Sequence, residues 1–125
     1  PQLICPIIDA RKGQVYTALY QNTGHMKWNR VFEDRAVEPE AWLKRIGGPC
    51  LFVGEGVYVY ADLITQTLGD LAYLAPAYMN RVRASVVGYI GMELILDGRA
   101  ADAEKLVPYY IRKSDAEIRP RNSKA

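Results

Sequence analysis

Ile8-Asp9-Ala10-Arg11-Lys12-Gly13 decides the reading of this chain. It follows an apolar run, Leu3-Ile4-Cys5-Pro6-Ile7-Ile8, and sets a carboxylate where that run stops and a glycine-containing turn begins. Leu3 to Ile8 is apolar at both odd and even positions, the pattern of a strand covered on both faces. Pro6 cannot donate to a ladder, so one side of that strand must be unpaired or bulged there. Arg11-Lys12-Gly13 predicts a short hairpin loop in which Gly13 takes a positive φ. Val15 to Tyr20, β-branched and aromatic, is the returning strand. Asn22-Thr23-Gly24 turns the chain again, with His25 in that turn as a surface side chain. Met26 to Phe32 alternates as a half-exposed third strand, with Glu33 and Asp34 at its end.

Beyond this meander the period changes. Pro39 suits the first turn of a helix whose face is Trp42, Leu43 and Ile46. Lys44 and Arg45 complement its C-terminal dipole, and Gly47 ends it. Cys50 to Val53 is a short buried strand running into Gly54-Glu55-Gly56. Tyr60, Leu63, Ile64 and Leu68 then form a helical stripe that stops at Gly69. Leu71 to Ala75 is a fifth strand, closed by Pro76. A loop with Arg81 and Arg83 leads to Ser85, the expected N-cap of a helix reaching Gly98. Gly88 and Gly91 inside that helix each cost ~1 kcal/mol against Ala, which predicts close packing on the sheet. Leu106 to Arg112 is apolar and aromatic, and is expected to lie back on the body and cover an edge. The order βββαβαβα predicts a five-stranded mixed sheet with helices on its faces, an α/β, ribonuclease-H-like layout shared with one lobe of the actin-like ATPases.

Composition narrows the function. With 125 residues, half of them apolar, the chain makes one domain with an ordinary core. No apolar run approaches the ~20 residues that span a bilayer, so no membrane role is expected and the cytoplasm is the expected location. Cys5 and Cys50 lie in separate strand-like runs and read as buried, reduced thiols. Net charge is +2, unevenly placed: from Arg112 onward five basic residues face two acids, giving +3 and leaving −1 on the rest. Residues 1–111 therefore form the lobe and 112–125 a basic tail, a solvated terminus or an electrostatic arm for RNA or a protein partner. The chain opens directly on a strand, which predicts a preceding lobe in a longer protein.

The chemistry-bearing residues are few. A ribonuclease-H-like nuclease joins a first-strand carboxylate to others around paired metal ions. Asp9 could fill that place, yet the fourth and fifth strands supply no acids to join it. The simpler reading is that Asp9 bonds the turn amides of Lys12 or Gly13. Gly54-Glu55-Gly56 opens a helix, where free N–H groups and the dipole attract anions. Glu55 stands there as an anion itself, and no Lys, Ser or Thr follows as in a phosphate-binding loop. A tight strand-to-helix turn is the simpler reading. His25 has no Cys, Ser or second His beside it for zinc or for a nucleophile–base pair. The nine tyrosines fall in helical or strand stripes and read as packing, with base stacking the alternative. No catalytic set and no metal site emerges.

These segments resemble the C-terminal half of the TsaB (YeaZ) family, once labelled glycoprotease-like or M22 peptidase homologs. Ile8 to Tyr16 resembles that family's IDAR-x-G-E-V-Y signature, with Gln14 in place of Glu. Phe52 to Gly56 resembles its V-G-x-G turn, Ser85 to Gly98 its last helix, and Pro108 to Glu117 its closing P-x-Y-x-R…A-E motif. The resemblance implies a non-catalytic scaffold subunit for N6-threonylcarbamoyladenosine at position 37 of tRNA. Its implied partners are a TsaD-like catalytic subunit and a TsaE-like ATPase, with tRNA met indirectly and a homodimer open to the full-length protein. The alternatives are an actin-like enzyme that binds and hydrolyses ATP, and a peptidase. On the scaffold reading the chain needs no cofactor, and any ATP site is vestigial. Asp9, Arg11, Gly13, Gly54 and Gly56 then shape that vestigial nucleotide edge, while Pro108, Tyr110 and Arg112 form the tail motif, with Tyr110 and Arg112 pinning the tail.

Overall fold

The computed structural model describes residues 1–24 and 27–112. Five strands form one mixed sheet: β1 (Leu3–Asp9), β2 (Val15–Gly24), β3 (Lys27–Val37), β4 (Cys50–Val53) and β5 (Ala72–Leu74). Their order across the sheet is β3-β2-β1-β4-β5. The meander pairs are antiparallel, whereas β4 and β5 join β1 in parallel. Helices α1 (Pro39–Leu43), α2 (Gly56–Leu68) and α3 (Ala84–Leu96) follow in the expected βββαβαβα order. Among the described residues no helix is long and apolar enough to cross a membrane.

β1 sits at the centre, so Pro6 has strands on both sides. The sheet absorbs it locally. Cys5 and Pro6 have no partner in the β1–β2 register, and the Thr17 hydroxyl donates to the Pro6 carbonyl at 2.8 Å. A register shift in β2 between Thr17 and Leu19 accompanies this exchange.

One face of the sheet is closed. Cys5, Ile7, Val15, Leu19, Cys50 and Phe52 point into a core with Trp42 and Leu43 of α1 and Val57 and Ile64 of α2. Phe32 meets Trp42 edge to face at 5.4 Å, and the Arg45 guanidinium stacks 4.5 Å from the Phe32 centroid. Cys5 and Cys50 are both buried as free thiols. The Cys5 sulfur accepts from Trp42 Nε1 at 3.3 Å and lies 3.2 Å from Thr17 Oγ1. The neighbouring Cys5 and burial push the Cys50 thiol far up, while Cys5, beside Cys50, Thr17 and Trp42, is lowered.

The opposite face departs from expectation. Ile4, Pro6, Leu51 and Val53 are half-buried and Ile8 is exposed, so β1 is covered on one side only. α3 buries none of its residues. Ser85 does not cap it: the N-cap is Arg83, whose carbonyl accepts from Val86 N and Val87 N. A Cβ on Gly88 or Gly91 would meet nothing within 4 Å, so close packing is not what either glycine serves. Segment 106–110 is likewise exposed and covers no edge.

Smaller differences sit at element ends. β2 reaches Gly24 and β3 runs to Val37, so Asn22 to Gly24 belong to the ladder and Glu33 and Asp34 lie within a strand. α1 stops at Leu43, where Arg45 N and Ile46 N bond carbonyls three residues back and tighten the chain. A 3-10 turn over Gly69–Leu71 shortens β5 to three residues. His25 and Met26 lie outside the described residues, as does the tail from 113.

Candidate functional site: two turns at the end of β1

The β1–β2 hairpin closes on backbone bonds from Ala10 N to Gln14 O (2.9 Å) and Gln14 N to Arg11 O (3.1 Å). Such a tight reversal forces three successive residues into the left-handed region: Arg11 (φ 61°), Lys12 (φ 54°) and Gly13 (φ 71°). Sequence reasoning assigned that conformation to Gly13 alone. Each non-glycine residue there carries a strain of about 1–2 kcal/mol, so the turn needs external support. Asp9 supplies part of it. Its Oδ1 accepts from Arg11 N at 3.0 Å, so the amide it holds is that of Arg11, not those of Lys12 or Gly13. The Arg11 guanidinium lies 3.9 Å from Asp9 Oδ2 in an exposed, weak pair. From α2, the Tyr60 hydroxyl donates to Asp9 Oδ1 at 3.5 Å. Burial, and then the Asp9 carboxylate, push the Tyr60 phenol above its ordinary value.

The rest of the support comes from the far end of the chain. Arg112 Nη1 donates to Ala10 O and to Gln14 Oε1, both at 3.2 Å. Arg112 is therefore brought to Asp9, Arg11 and Gly13, as the motif reading grouped them. Pro108 and Tyr110 are not, since both are exposed and Tyr110 keeps 80% of its surface in solvent.

The second turn, between β4 and α2, crosses the end of β1 at very short range. A Cβ on Gly54 would stand 2.6 Å from the Ile7 carbonyl oxygen, and one on Gly56 2.8 Å from the same atom. Gly54 also has a φ of 107°. Both glycines are required by the close approach of two backbones. The partner of that approach is β1. Three amides around this helix start bond inside the chain. Gly54 N donates to Asn80 Oδ1 at 3.0 Å, Val57 N to Gly54 O at 3.1 Å, and Tyr58 N to Glu55 O at 3.2 Å. Glu55 stands exposed at the mouth of the turn, beside a cleft of about 490 Å³ bounded by Pro6, Ile8, Val53, Asn80 and Arg81.

Asn80 is the residue that sequence reasoning missed. It is buried, and its amide bridges two elements, accepting from Gly54 N and donating to Ala75 O at 3.2 Å. Its only sequence signal is an amide side chain four positions after Pro76, and a solvated loop would show the same. Gln14 was equally unmarked, being noted only for standing where Glu is usual. Its neutral oxygen serves as the acceptor for Arg112. Glu33 and Asp34 pair with Arg30 on β3 at 3.1 and 3.3 Å. Among the described residues no three His, Cys, Asp or Glu side chains cluster as a metal site.

A meander joined in parallel to two further strands, with the glycine turn of the fourth strand laid across the end of the first, defines a ribonuclease-H-like lobe of the actin-like class. A solved structure shares this fold: an uncharacterized protein with similarity to peptidase YeaZ, from Pseudomonas aeruginosa. It superposes with a TM-score of 0.59 at 21% identity, covering 89% of this chain and 50% of that one. No protein-family model matches the chain. Its sequence is 35% identical over 120 residues to the tRNA threonylcarbamoyladenosine biosynthesis protein TsaB of Bacillus subtilis (strain 168), an alignment that takes in 94% of this chain. The chain is thus similar to a TsaB protein along nearly all of its own length, and it spans about half the length of that curated relative.

Proposed function

We propose that this lobe is a scaffold in the making of N6-threonylcarbamoyladenosine on tRNA, working beside a TsaD-like catalytic subunit and a TsaE-like ATPase. The observation that carries this is the 35% identity to a TsaB protein along almost the whole chain. The geometry of the two turns supports the non-catalytic part of the reading. Asp9 is committed to Arg11 N and Tyr60, Gly54 N bonds Asn80, and Val57 N and Tyr58 N bond the chain's own carbonyls. A nucleotide phosphate placed there would displace those bonds and face Glu55. The lobe accordingly contributes shape, with its first turn and the Arg112 latch keeping the end of β1 in one form.

The test uses Bacillus subtilis depleted of its own TsaB. A chimera is supplied in which this chain replaces the aligned half, and the modified nucleoside is measured in digested tRNA. Restored modification, with no heat of binding when ATP and magnesium are titrated into the chimera, is the expected result. A folded chimera that leaves the nucleoside absent overturns the tRNA role. Tight ATP binding with turnover overturns the scaffold reading in favour of an actin-like enzyme.

A further inference from the structure

We propose that the wide cavity at the start of β1, at the opposite end of that strand from the two turns, is a binding site for a small organic anion. The ligand class is a carboxylate or phosphate group carried on an apolar, ring-sized body. Nothing in the site depends on tRNA or on its modified nucleoside.

The cavity measures about 1010 Å³. Leu3, Leu19, Val31 and Phe32 give it apolar walls, and Tyr73 of β5 also lines it. Small-molecule sites are commonly built this way, with apolar surface for the body of the ligand and a few polar groups to orient it. Backbone bonds hold the walls in place. Leu3 pairs with Gln21 in the β1–β2 ladder, Asn22 N donates to Gln2 O at 2.8 Å, and Leu3 N donates to Pro49 O at 3.4 Å.

The charge in the cavity has one sign. Arg45 is the only charged side chain in its lining, which holds no Asp or Glu. Nearby cations are neutralised: Lys44 by Glu40 at 2.8 Å, and Arg30 by Glu33 and Asp34 at 3.1 and 3.3 Å. Arg45 has no ion pair among the described residues, and its guanidinium lies 4.5 Å from the Phe32 centroid. Arg35 stacks on the same ring at 5.4 Å, again with no carboxylate partner among the described residues. Two guanidiniums held against one ring leave a positive field at the cavity wall. A guanidinium already oriented by that ring loses little freedom when its fork of N–H groups grips an oxyanion.

Gly47 and Gly48 add donors. A Cβ on Gly47 would meet nothing within 4 Å, and one on Gly48 only Leu3 Cδ1 at an ordinary 3.7 Å. Neither glycine has a positive φ, so neither packing nor backbone conformation demands one there. Both line the cavity, where a missing side chain lets a ligand approach the backbone. Among the described residues nothing accepts from Gly47 N or Gly48 N. The carbonyls of Glu40, Trp42 and Leu43 in α1, which would repel an anion, are taken by Lys44 N, Arg45 N and Ile46 N.

Amide NMR of the 125-residue chain during addition of phenylacetate or phenyl phosphate tests the site. Benzyl alcohol, with the same ring and no charge, is the control. Saturable shifts of the Gly47 and Gly48 amides are expected, with a Kd below about 1 mM for at least one anion. The alcohol should bind at least about 10-fold more weakly. The tighter of the two anions identifies the head group as carboxylate or phosphate. Arg45→Gln should weaken anion binding by about 10-fold or more and leave the melting temperature unchanged, since Arg45 is exposed. Gln21→Glu places an acid in the wall, keeps Arg45, and should weaken binding as well. No saturable shift at Gly47 and Gly48 with either anion would overturn the proposal. Equal affinity for benzyl alcohol would do the same, by showing a plain apolar surface. Anion shifts gathered at Arg11–Gly13 or along α3, or unchanged affinity in either variant, would also overturn it. The chain is tested without tRNA, so failure of this site is distinguished from failure of the modification role.

Discussion

Gly54 and Ile7 stand closer than any side chain on Gly54 would permit: the space a Cβ needs is taken by the Ile7 carbonyl oxygen, 2.6 Å away. The helix start is thereby locked to the central strand. Gly54→Ala must push two backbones apart and also hold φ at 107° with a side chain. Overpacking costs typically 1–3 kcal/mol and the left-handed backbone about 1–2 more. Loss of roughly 3 kcal/mol is expected, read as a large drop in melting temperature.

Gly13 provides the contrast. A Cβ there meets nothing within 4 Å, and only its φ of 71° resists substitution. Gly13→Val should lose about 1–2 kcal/mol, clearly less than Gly54→Ala. Equal losses in chemical denaturation would mean that close approach is not what fixes the glycine turn.

Asn80→Ala removes both bonds of a buried amide and leaves Gly54 N and Ala75 O without their partner. An unsatisfied buried group costs about 1–3 kcal/mol, so this loop substitution should destabilise as much as many core changes. Asn80→Asp should be intermediate, since it keeps an acceptor for Gly54 N and loses the donor to Ala75 O. Denaturation midpoints of the three proteins check the order.

These contrasts explain what the sequence disclosed. Element order and sheet class were legible because Leu3–Ile8, Val15–Tyr20 and Cys50–Val53 combine strand periodicity with glycine or proline punctuation. Gly54 and Gly56 were legible as a turn, since glycines between a strand run and a helical stripe mark one, but the approach of Ile7 that makes them necessary was not. Asn80 was not, because its worth lies in contacts with Gly54 and Ala75 that only folding creates. Arg11 and Lys12 hid their left-handed backbone because their side chains carry no preference for it. Ser85 was mistaken for a cap, as a good capping residue one position inside the helix looks the same in sequence. For α3, apolar residues declared burial, and the sequence held no sign that the described lobe leaves them uncovered.

Tyr60 offers a test by pH. Its phenol is raised above its ordinary value of 10.0, first by burial and second by the neighbouring Asp9 carboxylate. The folded state therefore holds this proton more tightly than the unfolded chain does. Its contribution is complete below pH 10 and fades as pH climbs through the folded value. Ultraviolet titration of phenolate should show Tyr60→Phe removing a late-ionising tyrosine. Asp9→Asn should bring that ionisation only part of the way down, because burial is the larger cause; a full return would reverse the ranking.

Arg112 is the last prediction, and it concerns how an unsupported arm is held. Between Arg83 and Arg112 the chain makes little contact with the body, so its position depends on its two ends. At the far end one guanidinium serves two acceptors, Ala10 O and Gln14 Oε1, across 102 and 98 residues of sequence. Arg112→Ala frees that end and also removes a brace from a turn already strained at Arg11 and Lys12. Because Arg112 is half-exposed, the global loss should be modest, under about 1.5 kcal/mol. Local opening should change far more, as proteolysis responds to the population of open segments. Limited trypsin digestion should therefore cut faster at Arg99 and Lys105 in Arg112→Ala than in the parent. Arg112→Lys should fall between them, since an ammonium on a flexible stem fixes two acceptors less firmly than a planar guanidinium. Identical cleavage in all three proteins would show that the arm is held by something other than this latch.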